Sequence, residues 1–204
     1  MTYITGVPGT GKTSLAIELA RKFNGLHVEI GKLSLEEGLT LGFDKQRGCH
    51  IADIEGLEKF LVEKFSGIRG FIAFEAPFTV RLRRPLTPRV IFILRCEPRE
   101  LAKRLQDKGY PPRKILENVW AEILDYPLQE ALNTYNPKKI HELNMSFKKT
   151  GKAAEEAVEI LRRRRIPSHG RINWLKALEE EGFLEKISAS PARVALKHLL
   201  ASLG

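Results

Sequence analysis

The sequence predicts an α/β fold with a parallel central sheet flanked by helices. Three observations predict it. Residues 6–13 read Gly-Val-Pro-Gly-Thr-Gly-Lys-Thr, the G-x-x-x-x-G-K-[ST] phosphate loop, set between a β-type segment (2–5) and a run with helical spacing. Short apolar segments alternate with helical periodicities over most of the chain, the pattern of strand–helix–strand units. The 204 residues, 43% hydrophobic and 29% charged, suffice for one globular α/β domain with a small appendage.

The elements follow in order. Tyr3–Thr5 is the first strand candidate. The glycines of the loop allow a tight backbone curl, and Ala16, Leu19, Ala20 and Phe23 then recur on one face of a helix over 12–23. Further strands are expected at Leu26–Glu29, Phe71–Phe74, Val90–Leu94 and Lys139–Leu143, and helices at 53–65, 99–108, 113–135 and 152–164. Pro98 and Pro112 suit helix starts, and Gly109 suits a C-terminal cap. Ile166-Pro-Ser-His-Gly170 reads as a boundary, which divides the chain into 1–165 and a helical extension over 166–204. Within the extension, helices are expected at 172–181 and 191–202, joined by 182–187. The pair suits either a helix-turn-helix reader of nucleic acid or a hairpin packed on the core or on a second subunit.

The loop points to a nucleoside triphosphate. Curled N–H groups at a helix N-terminus form an anion nest over Gly9, Thr10, Gly11, Lys12, Thr13 and Ser14. Lys12 supplies a mobile positive charge for β- and γ-phosphates, and the Thr13 hydroxyl suits a magnesium ion.

Charge and composition narrow the rest. The net charge is +9, and residues 162–204 hold nine Lys/Arg against four Glu. Arg81, Arg83, Arg84, Arg89 and Arg95 form a second cluster without an acid among 81–95. Such surpluses suit a polyanion such as RNA, or a solvated basic face. Cys49 and Cys96 lie far apart with no CxxC partner, so reduced thiols rather than a zinc site are expected, and the five histidines show no metal-ligand spacing, so each is read as a surface or core residue. No run is long and apolar enough to span a membrane. A strand that opens at residue 2 leaves no room for a cleavable leader, and the expectation is a cytoplasmic protein, or a nuclear one where the cell has a nucleus.

Several dispersed segments together resemble the adenylate kinase isoenzyme 6 family, also described as archaeal or nuclear ATPases of small ribosomal subunit assembly. They are GVPGTGKT (6–13), IGKLSLEEGLTLGFD (30–44), FILRCEP (92–98), LAKRLQDKGY (101–110), ILENVWAEI (115–123) and TGKAAEE (150–156). The resemblance covers about residues 3–160. It implies a P-loop nucleoside monophosphate kinase fold with an acceptor arm at about 30–52 and a short lid at about 107–113.

It also implies an adenylate kinase-type activity: transfer of the ATP γ-phosphate to AMP or another nucleoside monophosphate, with ATPase activity linked to ribosome maturation. The other reading is a nucleotide-switched assembly module that binds rRNA and a small-subunit ribosomal protein. In residue terms, Arg104 would pack on adenine and Lys108 would touch the donor phosphates. Gly151, in Thr150-Gly151-Lys152, would contact the adenine ring through its backbone. Glu75 would serve with Thr13 as the metal's partner, at the end of the strand over 71–74. Lys12, Glu75 and Lys108 would be catalytic, with Arg95 a further cation for the transferring group. Pro77 stands where the family pattern has a histidine two positions after the acid, and a proline side chain is neither acid, base nor donor.

Overall fold

The computed structural model describes residues 1–45, 48–147 and 150–201. Five parallel strands form the central sheet: β1 (Thr2–Thr5), β2 (Leu26–Glu29), β5 (Ile72–Glu75), β6 (Val90–Arg95) and β7 (Ile140–Asn144), in the order β2-β5-β1-β6-β7. β3 (Thr40–Asp44) and β4 (Cys49–Ala52) form a separate antiparallel pair. The helices are α1 (Lys12–Lys22), α2 (Ile30–Glu36), α3 (Ile54–Phe65), α4 (Pro98–Asp107), α5 (Pro112–Ile123), α6 (Tyr126–Thr134), α7 (Thr150–Leu161), α8 (Trp174–Glu180), α9 (Leu184–Ser188) and α10 (Ala192–Ala201).

β1, β5 and β6 are buried along their whole lengths, as parallel strands covered on both faces must be. On one face, Leu57, Leu61 and Phe65 of α3 and Leu128 and Ala131 of α6 pack against Tyr3, Phe74 and Ile91. On the other, Leu15 and Leu19 of α1 and Ala154 and Ala157 of α7 pack against Ile4, Ala73 and Phe92. The carboxyl edge of the sheet is left to the loops after β1, β2 and β5, where ligands of open α/β sheets bind.

Local chemistry sets the helix ends. Asp53 caps α3 by accepting from Gly56 N at 2.9 Å. Glu97 caps α4 by accepting from Arg99 N and Glu100 N, ahead of Pro98 in the first turn. Gly109, at φ +76°, turns the chain after α4, and four residues separate α4 from α5.

The structure corrects two expectations. The helix expected over 113–135 is two helices, broken at Asp125 with φ +56°; Pro127 has no N–H for a continuous ladder. The connector expected over 182–187 carries α9, which runs on to Ser188; residue 202, expected to end the last helix, lies outside the described residues. Residues 30–52 hold α2 and the β3–β4 hairpin, with Phe43 edge-on to His50 at 5.0 Å; positions 46 and 47 lie outside the described residues.

The extension packs on the domain that precedes it. Leu178, Phe183, Ile187, Leu196 and Leu199 share one core with Leu101, Leu105, Ile115 and Val119 of α4 and α5, and with Val7 of the phosphate loop. In the basic run before it, Arg164 and Arg165 pair with Glu159 and Glu156, and the Arg162 guanidinium lies 5.8 Å from the Phe23 ring centre.

Candidate functional site

The loop between β1 and α1 is built by its glycines. Gly6, Gly9 and Gly11 hold φ of +145°, +89° and +95°, and Gly11 is the N-cap of α1. A Cβ on Gly6 would stand 2.6 Å from Leu94 O, so the β6 backbone itself requires glycine there. Thr10 closes the curl, its hydroxyl donating to Val7 O at 2.9 Å. Thr13 and Ser14 are exposed on the first turn of α1.

Lys12 folds back over this loop, and its Nζ donates to Val7 O at 3.0 Å. Burial pushes its pKa down to about 8; Glu75 opposes that shift, and Lys108 adds to it by like-charge repulsion. The C-terminal end of α4 therefore places Lys108 within electrostatic reach of Lys12. Glu75, 2% exposed at the end of β5, lies 3.1 Å from His27 Nε2 and close enough to the Thr13 hydroxyl for it to help lower the Glu75 pKa. Burial raises its pKa, but the His27 and Thr13 hydrogen bonds and the Lys12 charge outweigh it, so the carboxyl sits below its ordinary range.

Arg104 lies on α4 beside the loop that follows β7. Its Nη2 donates to Met145 O at 2.8 Å and to Glu100 Oε1 at 2.5 Å. The Met145 methyl group is 3.5 Å from where a Cβ on Gly11 would stand, so the phosphate loop, α4 and the post-β7 loop converge. Gly151, in the first turn of α7, faces open space.

Arg95 is elsewhere. It is fully buried, with Nε 2.7 Å from Glu122 Oε1 and the remaining nitrogens paired to Asp125 and Glu142. A guanidinium saturated by three carboxylates has no free donor for a transferring phosphoryl group, and the expectation of a catalytic role for it is withdrawn.

His27 is the site residue that sequence reading missed, since all five histidines were taken as surface or core. The signal lies in the sheet: β2 pairs with β5 in the register His27↔Ala73 and Glu29↔Glu75, and strand alternation puts positions 27, 29, 73 and 75 on one face.

A cavity of about 980 Å³ opens between Ile54, Glu58 and Val62 of α3 and Thr79, Arg81 and Arg83 of the segment after β5. Among the described residues no group of three or more His, Cys, Asp or Glu could hold a metal ion alone. The Thr13 hydroxyl beside the Glu75 carboxylate fits magnesium, a hard cation that keeps waters and takes one or two carboxylates along with substrate phosphates.

Sheet order and phosphate loop together define a P-loop kinase fold. Solved structures agree at the level of fold: shikimate kinase from Bacteroides thetaiotaomicron (TM-score 0.52, 15% identity, 79% of this chain and 97% of that one) and thymidylate kinase from Candida albicans (TM-score 0.51, 15% identity, 80% and 91%). The family model described as an AAA domain matches residues 3–125.

Among curated proteins, the chain is 33% identical to the "Putative adenylate kinase" of Methanothermobacter thermautotrophicus, over 85% of this chain and 96% of that protein. It is 32% identical to the protein of the same name from Pyrococcus furiosus, over 87% and 92%. It is 34% identical to the "Adenylate kinase isoenzyme 6 homolog" of Caenorhabditis elegans, over 69% and 76%. The chain belongs to this adenylate kinase isoenzyme 6 family of phosphotransferases. An 87% share exceeds what residues 3–160 span, so the likeness runs into the extension.

Proposed function

We propose that the chain is a nucleoside monophosphate kinase that moves the γ-phosphoryl group of ATP to AMP or a similar monophosphate. The observation that carries this reading is the meeting of Lys12, Thr13 and Glu75 at the carboxyl edge of the sheet, with the Lys108 turn facing Lys12.

The N–H groups of Gly9–Ser14 hold the donor phosphates, and Lys12 leaves Val7 O to bridge the β- and γ-phosphates. Arg104, braced by Met145 O, stacks on adenine, and the backbone at Gly151 borders the ring. Thr13 and Glu75 would hold a magnesium ion, which would supply charge to neutralise the β/γ oxygens. The acceptor docks between the 30–52 arm and the cavity beside α3, where Arg81 and Arg83 offer cations for its phosphate.

Arm and lid closure excludes water and brings an acceptor phosphate oxygen in line with the γ-phosphorus. The new O–P bond forms as the bond to the β,γ-bridging oxygen breaks, leaving two diphosphates. Lys108 offsets charge on the transferring group. Pro77, which can neither donate nor accept a proton, makes hydrolysis the weaker reaction.

The test is product stoichiometry with ATP and AMP. Two ADP per ATP consumed, with little inorganic phosphate, is the expected result; one ADP and one phosphate per ATP contradicts the kinase reading.

A second reading adds a role in small ribosomal subunit maturation in the cytoplasm, with rRNA and a small-subunit ribosomal protein as partners. The exposed side chains of Arg81, Arg83 and Arg84 favour a polyanion. RNA affinity measured against salt tests it, with a linear log–log fall expected and a flat response contradicting it.

A further inference from the structure

His27 faces the metal-side carboxylate from a neighbouring strand. The family pattern has a histidine two residues after the acid; here that position is Pro77, and no proton donor stands there. β2 and β5 run parallel with His27 opposite Ala73, so His27 and Glu75 sit one pleat apart on the face that α1 covers.

His27 Nε2 is 3.1 Å from Glu75 Oε1. A carboxylate only accepts, so Nε2 carries the hydrogen and donates it. Among the described residues, Glu75 has His27 at hydrogen-bond distance, with the Thr13 hydroxyl close enough to help lower its pKa. Thr13 would hold the metal of Mg–ATP, and His27 would remain as the carboxylate's own partner.

We propose that His27 is a positioning residue for Glu75: its Nε2–H pins Oε1 and so fixes the carboxylate beside Thr13, where it would face the nucleotide's metal. This rests on the Mg–ATP reading of the site. Glu29 cannot substitute, because it is a second anion on the same face and can only repel the Glu75 carboxylate.

The experiment uses the full chain and two variants, His27→Ala and His27→Gln. Manganese affinity in the presence of ATP is read by electron paramagnetic resonance, and metal-free ATP affinity by calorimetry. His27→Ala is expected to weaken metal binding about 10-fold or more, the usual effect of losing an outer-shell partner, while metal-free ATP affinity stays within about twofold. His27→Gln, whose amide can donate to the same oxygen, is expected to recover most of the loss.

Unchanged manganese affinity in His27→Ala overturns the proposal. So does an equal loss of metal-free ATP binding, or a His27→Gln variant no better than alanine, because either marks a merely structural role. Failure of the wild-type protein to bind metal–ATP at all would instead overturn the reading beneath it.

Discussion

Trp174 donates its indole N–H to Glu122 Oε1 at 3.0 Å, and so ties the first helix of the C-terminal extension to the carboxylate that holds the buried Arg95. The same oxygen accepts from Cys96 N at 3.2 Å, just past the end of β6. The tie continues through Glu142, whose second oxygen accepts from Gly170 N and Arg171 N. One ion cluster therefore joins β6, β7, α5 and the extension.

Replacing Trp174 by Phe keeps most of the apolar ring and removes the donor. A hydrogen bond to a charged group is worth about 1.5–3 kcal/mol, so urea denaturation is expected to show a loss of that order. The KM for ATP is expected to stay unchanged, because the lost hydrogen bond runs to Glu122 of α5 and not to residues 9–14.

Arg95→Met would leave Glu122 and Glu142 buried without their cation. Breaking a buried ion pair by removing one partner costs about 3–5 kcal/mol. Stability of that variant should fall by such an amount, while enzyme that remains folded at low temperature keeps its ATP affinity. A selective fall in turnover with full stability would return Arg95 to the catalytic centre.

How much of this was legible in the sequence divides by distance along the chain. The phosphate loop was legible because eight contiguous residues carry it, and the strands beside it because buried parallel strands read as unbroken apolar runs. The partners of Arg95 were not, since its three carboxylates come from α5, the α5–α6 junction and β7, and only the fold brings them together. His27 was hidden for the same reason: its meaning depends on β2 lying next to β5, although β1 precedes it in the chain. The β3–β4 hairpin escaped because its exposed Leu41, Phe43 and Ile51 show no buried face that alternation could reveal.

Glycine substitutions should separate the loop from ordinary turns. Gly6→Ala meets Leu94 O at 2.6 Å and holds φ +145°, whereas Gly38→Ala, at φ +67°, has open space around it. Gly38→Ala is expected to cost only the left-handed penalty, about 1–2 kcal/mol. Gly6→Ala should cost clearly more and abolish ATP binding, as measured by thermal denaturation and calorimetry on the two proteins side by side.

His141 gives stability a defined pH dependence. Burial lowers its pKa from 6.5, against the opposing effect of Glu156, and its Nδ1 accepts from Ser168 N at 2.9 Å, which holds the ring neutral. Between the lowered native value and 6.5 the unfolded chain binds a proton that the native chain does not, so stability rises with pH across that window and falls on acidification below 6.5. Denaturation midpoints of wild type and His141→Gln, compared at pH 5.5 and 7.5, should show a smaller acid-side loss in the variant.

The proposed donor site is the main-chain amides of residues 9–14, with Lys12, gripping the triphosphate of a magnesium-bound nucleotide. Calorimetric titration of Mg–ATP into wild type and Lys12→Ala tests it most directly. Saturable one-to-one binding by the wild type is the predicted result, with turnover of the folded variant reduced by about 10²-fold or more and its affinity weakened. Absence of binding by the wild type, or a variant that binds and turns over as the wild type does, would contradict the account.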